Sequence, residues 1–341
     1  MKKIILFLIL SFSLMSAKAQ IKSAVYWTAP TMLAAMTDKF HNESLLIVDY
    51  ENFTNNREVL AEIKKGNPAI KIIAYFNPME VWKTEKTGRT MANKLLKEMP
   101  PAFFLKRADK KPVQFWPEMI MMNMSSYCPI VKGKNYNQYY ANWLIEILDD
   151  ELIDGCFEDN GTPTISWIDP LIDADNNGKT DQATELDSAW KKGMTEFIKL
   201  IRAAKGKDFI IITNKGVRDF FSLSDGVMFE KFPNNYLGDK KAGGWYQCLE
   251  NSQEGGEYVI FQVDQQNLAF GLASSLLFDN LYIALGENMI IQKNFRPDSG
   301  EALGPMYIKD GIYYRQYKKL TVQVNPVKKT GRLIMKGAKI P

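Results

Sequence analysis

Residues 153–159 read "IDGCFED", an apolar patch that begins at Asp154 and Gly155 and ends in the carboxylates Glu158 and Asp159. A strand with one wet face alternates apolar and polar residues; a run without that alternation suits a parallel sheet covered on both faces. Working outward, seven other short runs have the same character: "SAVYW" (23–27), "SLLIVDY" (44–50), "KIIAYFN" (71–77), "MIMMNM" (119–124), "DFIIITN" (208–214), "DGVMFE" (225–230) and "EYVIFQV" (257–263). Between and after them lie helical patterns at 55–66, 136–152, 185–206 and 267–285, with Gly66 and Gly206 placed to cap two of the helix ends. Eight strands alternating with helices predict a (β/α)8 TIM barrel over residues 20–290. An open doubly wound sheet is the competing topology, but no glycine-rich phosphate fingerprint follows any strand. After residue 290 the period changes to two, most clearly over 311–335, which predicts a small C-terminal β appendage over residues 291–341.

Residues 1–19, "MKKIILFLILSFSLMSAKA", have the lysines, short apolar run and small residues of an export leader, with cleavage expected between Ala19 and Gln20. The expected location is secreted or periplasmic, without a membrane anchor. Loss of Lys2, Lys3 and Lys18 brings the 43 basic residues to 40 against 39 acidic ones. The basic excess therefore belongs mostly to the leader, and nucleic acid is not an expected partner. Three cysteines cannot form a disulfide framework in a chain of 341 residues; one bridge between Cys128 and Cys248 is left open. The single histidine, His41, excludes a multi-histidine zinc site and leaves little for serine–histidine chemistry. Acid–base work here falls to carboxylates, no cofactor is required, and a monomer is expected.

In a TIM barrel the active site gathers at the C-terminal strand ends. Those ends carry Trp27, Asp49, Tyr75 with Asn77, Asn123, Asp159 with Asn160, Asn214, Glu230, and Gln262 with Asp264. Alternation along a strand puts Gly155, Phe157 and Asp159 on one face, and Gly226, Met228 and Glu230 on the equivalent face of another. If both faces point inward, Asp159 and Glu230 sit at the same height with one strand between them, and Glu158 points away. Two carboxylates facing a polar pocket suit glycosidic bond cleavage, with Asp159 as nucleophile or base and Glu230 as general acid, or the roles exchanged. Their spacing, retaining or inverting, is open at this point. A strand-end acid can equally cap a helix or pair with a lysine. Asp49, Tyr75, Asn77, Asn160 and Asn214 are candidate substrate contacts. Trp82, Trp116, Trp167, Trp245 and Tyr246 are candidate sugar platforms, with Trp245 carried forward among the binding residues.

One loop suggests structural calcium. In "DADNNGKTDQATELD" (173–187), Asp173, Asp175, Asn177, Lys179 and Asp181 occupy positions 1, 3, 5, 7 and 9 of a calcium loop, and Gly178 supplies the turn. Position 12, where a bidentate Glu belongs, is Thr184; Glu185 and Asp187 follow.

The succession "IVDYENF", "IIAYFNP", "DGCFEDNG", "DADNNGKTDQATELDSAWKKG", "IITNKG" and "GVMFEKF", closed by "YYRQYKKLTVQVNP", resembles the hypothetical glycosyl hydrolase family 15. The resemblance implies a TIM-barrel glycosidase distantly similar to polygalactosaminidase-type barrels. It implies acid chemistry at Asp159 and Glu230 and a substrate contact at Asn214. Glu158 stands where an apolar residue is expected. The expected function is thus a secreted hydrolase of a polysaccharide or glycan; the alternative is a barrel that binds carbohydrate without cutting it.

Overall fold

The computed structural model describes residues 21–233 and 244–337, so the expected leader lies outside the described residues. Eight parallel strands close into a barrel: β1 (Ser23–Trp27), β2 (Leu45–Asp49), β3 (Lys71–Phe76), β4 (Gly155–Glu158), β5 (Ile210–Asn214), β6 (Gly226–Phe229), β7 (Tyr258–Val263) and β8 (Leu281–Glu287). Each strand pairs with its neighbours in chain order, and β8 closes the ring on β1.

Two expectations are corrected. The run 119–124 is not a barrel strand: only Met119–Met121 is extended, and it pairs antiparallel with Glu80–Trp82 in an arm between β3 and β4. Its methionines Met121, Met122 and Met124 are buried against the outer helices, which satisfies an apolar run as well as a place in the barrel does. The eighth strand is instead Leu281–Glu287, within and just beyond the segment expected to be helical. That helix, Leu268–Ser275, stops early, and the chain turns before Asn280 to enter the strand. Both pieces are almost wholly apolar, so periodicity could not part them.

The barrel interior is filled by Ala24, Tyr26, Leu45, Ile47, Ile73, Phe157, Ile210, Ile212, Met228, Ile260, Tyr282 and Ala284. Gly155 and Gly226 are needed at its floor. A Cβ on Gly155 would lie 2.2 Å from the Ile210 carbonyl oxygen, and one on Gly226 would lie 2.3 Å from that of Tyr258. The acids before these glycines are structural: Asp154 accepts from the Ile72 amide at 2.9 Å and pairs with Lys64, and Asp225 accepts from the Ile211 amide at 2.8 Å and pairs with Arg202. Each locks the start of a neighbouring strand.

Helices α1 (Arg57–Gly66), α2 (Thr90–Glu98), α3 (Tyr136–Ile147), α4 (Ala183–Lys205), α5 (Trp245–Ser252) and α6 (Leu268–Ser275) surround the barrel. A capping box between Asn135 and Gln138 starts α3, and α4 buries a stripe from Leu186 through Trp190, Met194 and Phe197 to Ile201. Four antiparallel strands follow: β9 (Tyr307–Lys309), β10 (Ile312–Gln316), β11 (Leu320–Asn325) and β12 (Thr330–Met335). The alternating inward residues Leu320, Val322 and Val324 pack with Phe270 and Ala273 of α6. Cys128, Cys156 and Cys248 are buried and none is in a disulfide, so the Cys128–Cys248 bridge does not form. His41 packs over Gly66, where an added Cβ would overlap its ring.

Candidate active site

Each of seven barrel strands carries a polar residue two positions beyond an interior apolar one: Tyr26 after Ala24, Asp49 after Ile47, Tyr75 after Ile73, Asp159 after Phe157, Asn214 after Ile212, Glu230 after Met228 and Gln262 after Ile260. Alternation thus turns a sealed apolar barrel into a polar ring one step higher. Asp159 and Glu230 leave β4 and β6, with β5 between them. They follow even-numbered strands rather than the odd-numbered ones counted from sequence, but their shared parity, and hence their shared layer, survives.

The centre of the ring is Asn214. Its side-chain Nδ2 donates to Asp159 Oδ1 at 2.7 Å and lies 3.5 Å from Glu230 Oε2. Its Oδ1 accepts from the Lys215 amide at 2.7 Å, which sets the amide orientation. Two oxygens that share this nitrogen lie no further apart than the two distances together, about 6.2 Å. Asp159 also accepts from the Tyr75 hydroxyl at 2.7 Å and from the Asn160 amide at 2.7 Å. Three donors therefore fix the orientation of its carboxylate. Burial, and then the charge of Asp159, hold the Glu230 carboxyl above the ordinary glutamate range.

Backbone geometry supports this placement. Asn160, Lys215 and Lys231, each directly after a residue of the site, have φ of 56°, 82° and 53°. Three consecutive strands therefore end in the left-handed turn that a side chain other than glycine rarely adopts, a local cost of the kind found at functional sites. Beneath the carboxylates, Tyr26, Tyr75 and Phe157 form an aromatic cluster with centroids 5.5–5.8 Å apart. Burial and then Asp159 raise both phenols well above their ordinary value, so Tyr75 stays a donor.

A cavity of about 510 Å³ opens above this ring. Asp159, Asn160, Glu230, Tyr75, Asn77 and Asp49 all line it, as do Trp82, Trp116, Glu80, Arg89 and Glu287. Asn160 is buried, and its Nδ2 has no hydrogen-bond partner among the described residues. Asp49 is paired with Arg89 at 2.7 Å and accepts from the Glu51 amide. Burial raises the Asp49 carboxyl, with Arg89 opposing the rise. Glu51 accepts from the amides of Met91 and Ala92 at 3.1 and 2.8 Å, capping the start of α2. The acids of "VDYEN" thus moor the arm that walls the cavity. Asn77 accepts from the Met79 amide at 3.0 Å and donates to Glu80 at 3.4 Å.

Other expected residues go elsewhere. Trp245 is not in the cavity: it is buried between Phe270 and Tyr313, with its indole donating to Ser274 at 2.9 Å. A tryptophan in a strand-end loop looks the same in sequence whether it faces a ligand or the appendage. Trp27 turns outward onto Phe40, leaving the inward place to Tyr26. Asn123 donates to the Ala174 carbonyl at 2.6 Å, away from the barrel mouth. In the loop 173–187, Asp173 accepts from the amides of Asn177 and Gly178, Asp175 accepts from Asn177, and Asp181 accepts from the Ala174 amide. Asn177 Oδ1 in turn accepts from the Lys179 amide. These acids bind their own loop, and among the described residues no three of His, Cys, Asp and Glu converge as a metal cage.

The sequence reading missed Glu287 because its strand was taken as helix, and missed Glu80 and Arg89 because they lie in the arm rather than at a strand end. The adjacent carboxyl, Glu158, points away as alternation requires and is fully buried outside the barrel wall.

Comparison with known proteins gives this arrangement a context. The family model described as hypothetical glycosyl hydrolase family 15 matches residues 64–321, a span that includes Asp159, Asn214 and Glu230. No curated protein matches the chain. Among solved structures, a noncanonic maltogenic alpha-amylase, AmyB, from Thermotoga neapolitana aligns with a TM-score of 0.52 and 8% identity, covering 90% of this chain and 86% of that one. A GH31 dextranase from Flavobacterium johnsoniae, complexed with glucose, aligns with a TM-score of 0.54 and 10% identity, covering 93% of this chain and 46% of that one. At these identities the likeness is one of fold, and this chain spans less than half of the dextranase.

Proposed function

We propose that this chain, which belongs to the hypothetical glycosyl hydrolase family 15, is a secreted, retaining glycosidase of a polysaccharide or glycan, with Asp159 as nucleophile and Glu230 as general acid and base. The observation that carries the reading is the single Asn214 amide within reach of both carboxylates. It limits the two bonded oxygens to about 6.2 Å, which keeps the carboxyl groups close and favours the retaining spacing of roughly 5–5.5 Å over the wider inverting one.

The environments divide the roles. Asp159 is held by three donors, which orient it for attack on the anomeric carbon. Glu230, raised by burial and by the neighbouring charge, suits delivery of a proton. In the first step Asp159 bonds to the anomeric carbon while the glycosidic C–O bond breaks, and Glu230 protonates the departing oxygen. In the second, water attacks that carbon, Glu230 takes the water's proton, and the bond to Asp159 breaks. This chemistry needs no cofactor. A barrel that only binds carbohydrate would have no need to hold two acids at this spacing.

The test is hydrolysis of a panel of polysaccharides and aryl glycosides by the wild type, Asp159→Asn and Glu230→Gln, with folding checked by circular dichroism. Turnover by the wild type is expected, with its loss in folded Asp159→Asn on every substrate and in folded Glu230→Gln on the polysaccharides. Wild-type rates in either variant would remove that residue from the mechanism.

A further inference from the structure

Trp116 and Trp167 are 54% and 55% exposed, whereas Trp27, Trp190 and Trp245 are buried. They arrive from different segments, Trp116 from the arm between β3 and β4, and Trp167 from the loop after β4. Both meet Phe115, with ring centroids 5.3 and 5.5 Å from it. The Lys215 ammonium stands 5.8 Å from the Phe115 ring and 5.6 Å from that of Trp167. A contiguous exposed apolar patch is unfavourable in water and commonly marks a binding surface.

These rings are also held in place. The Trp116 amide donates to Glu80 at 3.0 Å. The Trp167 indole donates to the Thr164 carbonyl at 3.0 Å. The turn beneath it is fixed by Asp187, which accepts from the amides of Ile165 and Ser166 and from the Ser166 hydroxyl at 2.7–2.9 Å. Thus an acid outside the catalytic pair holds each of the two exposed rings or its loop. The patch joins the active site at two points: Trp116 lines the cavity, and Lys215 follows Asn214.

We infer that Phe115, Trp116 and Trp167, backed by Lys215, form a platform that holds further sugar units of an uncharged polysaccharide outside the carboxylate pair. Pyranose rings present flat C–H faces that stack on aromatic faces, and rigid rings bind with little loss of side-chain freedom. Lys215 is engaged by the Phe115 and Trp167 rings, and Lys83, beside Trp116, donates to the Gln114 side chain and the Pro117 carbonyl, so the platform binds through its rings rather than through a cation. The inference rests on the glycosidase reading for the direction in which the chain runs.

The experiment is affinity electrophoresis of the full chain carrying Asp159→Asn, through gels containing dextran, pullulan, galactan or xylan. At least one polysaccharide should retard it. Adding Trp167→Ala should weaken that retardation at least 5-fold, and Trp167→Phe should restore most of it. No retardation in any gel, or equal retardation with Trp167→Ala, overturns the platform. Hydrolysis of the same polysaccharides by the wild type is scored separately. Hydrolysis with no Trp167 dependence of retardation removes the platform and leaves the glycosidase. Trp167-dependent retardation without hydrolysis supports the platform and removes the glycosidase.

Discussion

Asp159 and Glu230, on strands separated by β5, are bridged by one side-chain amide, that of Asn214. The spacing this imposes makes the stereochemistry of the product the most direct readout. Proton NMR of fresh hydrolysate should show the anomer of the substrate before mutarotation. The opposite anomer would mean that a water fits between the acids, and that Asp159 is a base.

Asn214→Ala removes a donor to the nucleophile and the spacer between the acids. Hydrogen bonds to charged groups are worth about 1.5–3 kcal/mol, so kcat/KM should fall by roughly 10- to 100-fold. Tyr75→Phe deletes only the hydroxyl that donates to Asp159 and keeps the ring against Phe157. A loss of similar size is expected there with little change in Tm. Unchanged kcat/KM in both would show that these donors do not act on the reaction.

Glu230 must be protonated to assist the leaving group, and burial and Asp159 raise its pKa. The alkaline limb of the kcat/KM profile should therefore lie above the ordinary glutamate value of 4.5, with activity falling as pH rises through it. Glu230→Gln should abolish that limb. Its loss should be about 10²–10⁴-fold on unactivated substrates, and smaller on aryl glycosides whose leaving group needs no proton. A limb at the ordinary value would show that burial does not tune this acid.

The parity of Asp159 and Glu230 was legible in sequence because side-chain alternation depends only on counting from Gly155 and Gly226, whose Asp-Gly starts mark the barrel floor. The same counting separated Asp159 from Glu158. Strand identity was less legible: Met119–Met121 and Leu281–Glu287 are apolar runs whose partners are set by tertiary packing, and the second, not the first, took the remaining place in the barrel. Glu287 was lost with the second of them. Arg89 and Glu80 were beyond reach because only folding carries the arm over the barrel mouth. Trp245 failed for the opposite reason, since the appendage covers the surface a barrel alone would expose.

The Arg89–Asp49 pair joins the arm to β2 with the carboxylate 2% and the guanidinium side chain 17% exposed. Removing one partner of a buried pair costs about 3–5 kcal/mol, because the other charge is left stranded. Arg89→Ala should thus lower stability substantially in urea unfolding. Adding Asp49→Asn should recover much of that loss, with weak substrate binding persisting because the cavity wall has lost its mooring. No recovery in the double variant would show that Arg89 acts through packing rather than charge.

Glu158 makes a separate prediction about stability. Its carboxyl is fully buried, its Oε1 has no hydrogen-bond partner among the described residues, and burial with the adjacent Asp159 charge pushes it up to about 8 from 4.5. A carboxyl whose pKa is higher in the folded state binds more protons folded than unfolded between those two values. Stability associated with Glu158 is therefore full below pH 4.5, declines as pH rises from there to about 8, and is flat beyond. Glu158→Gln cannot ionise and should escape this decline. The urea midpoint of the variant should rise relative to wild type as pH increases across that window, with the largest difference near pH 8. A difference that does not change with pH would mean that Glu158 titrates alike in the folded and unfolded chain.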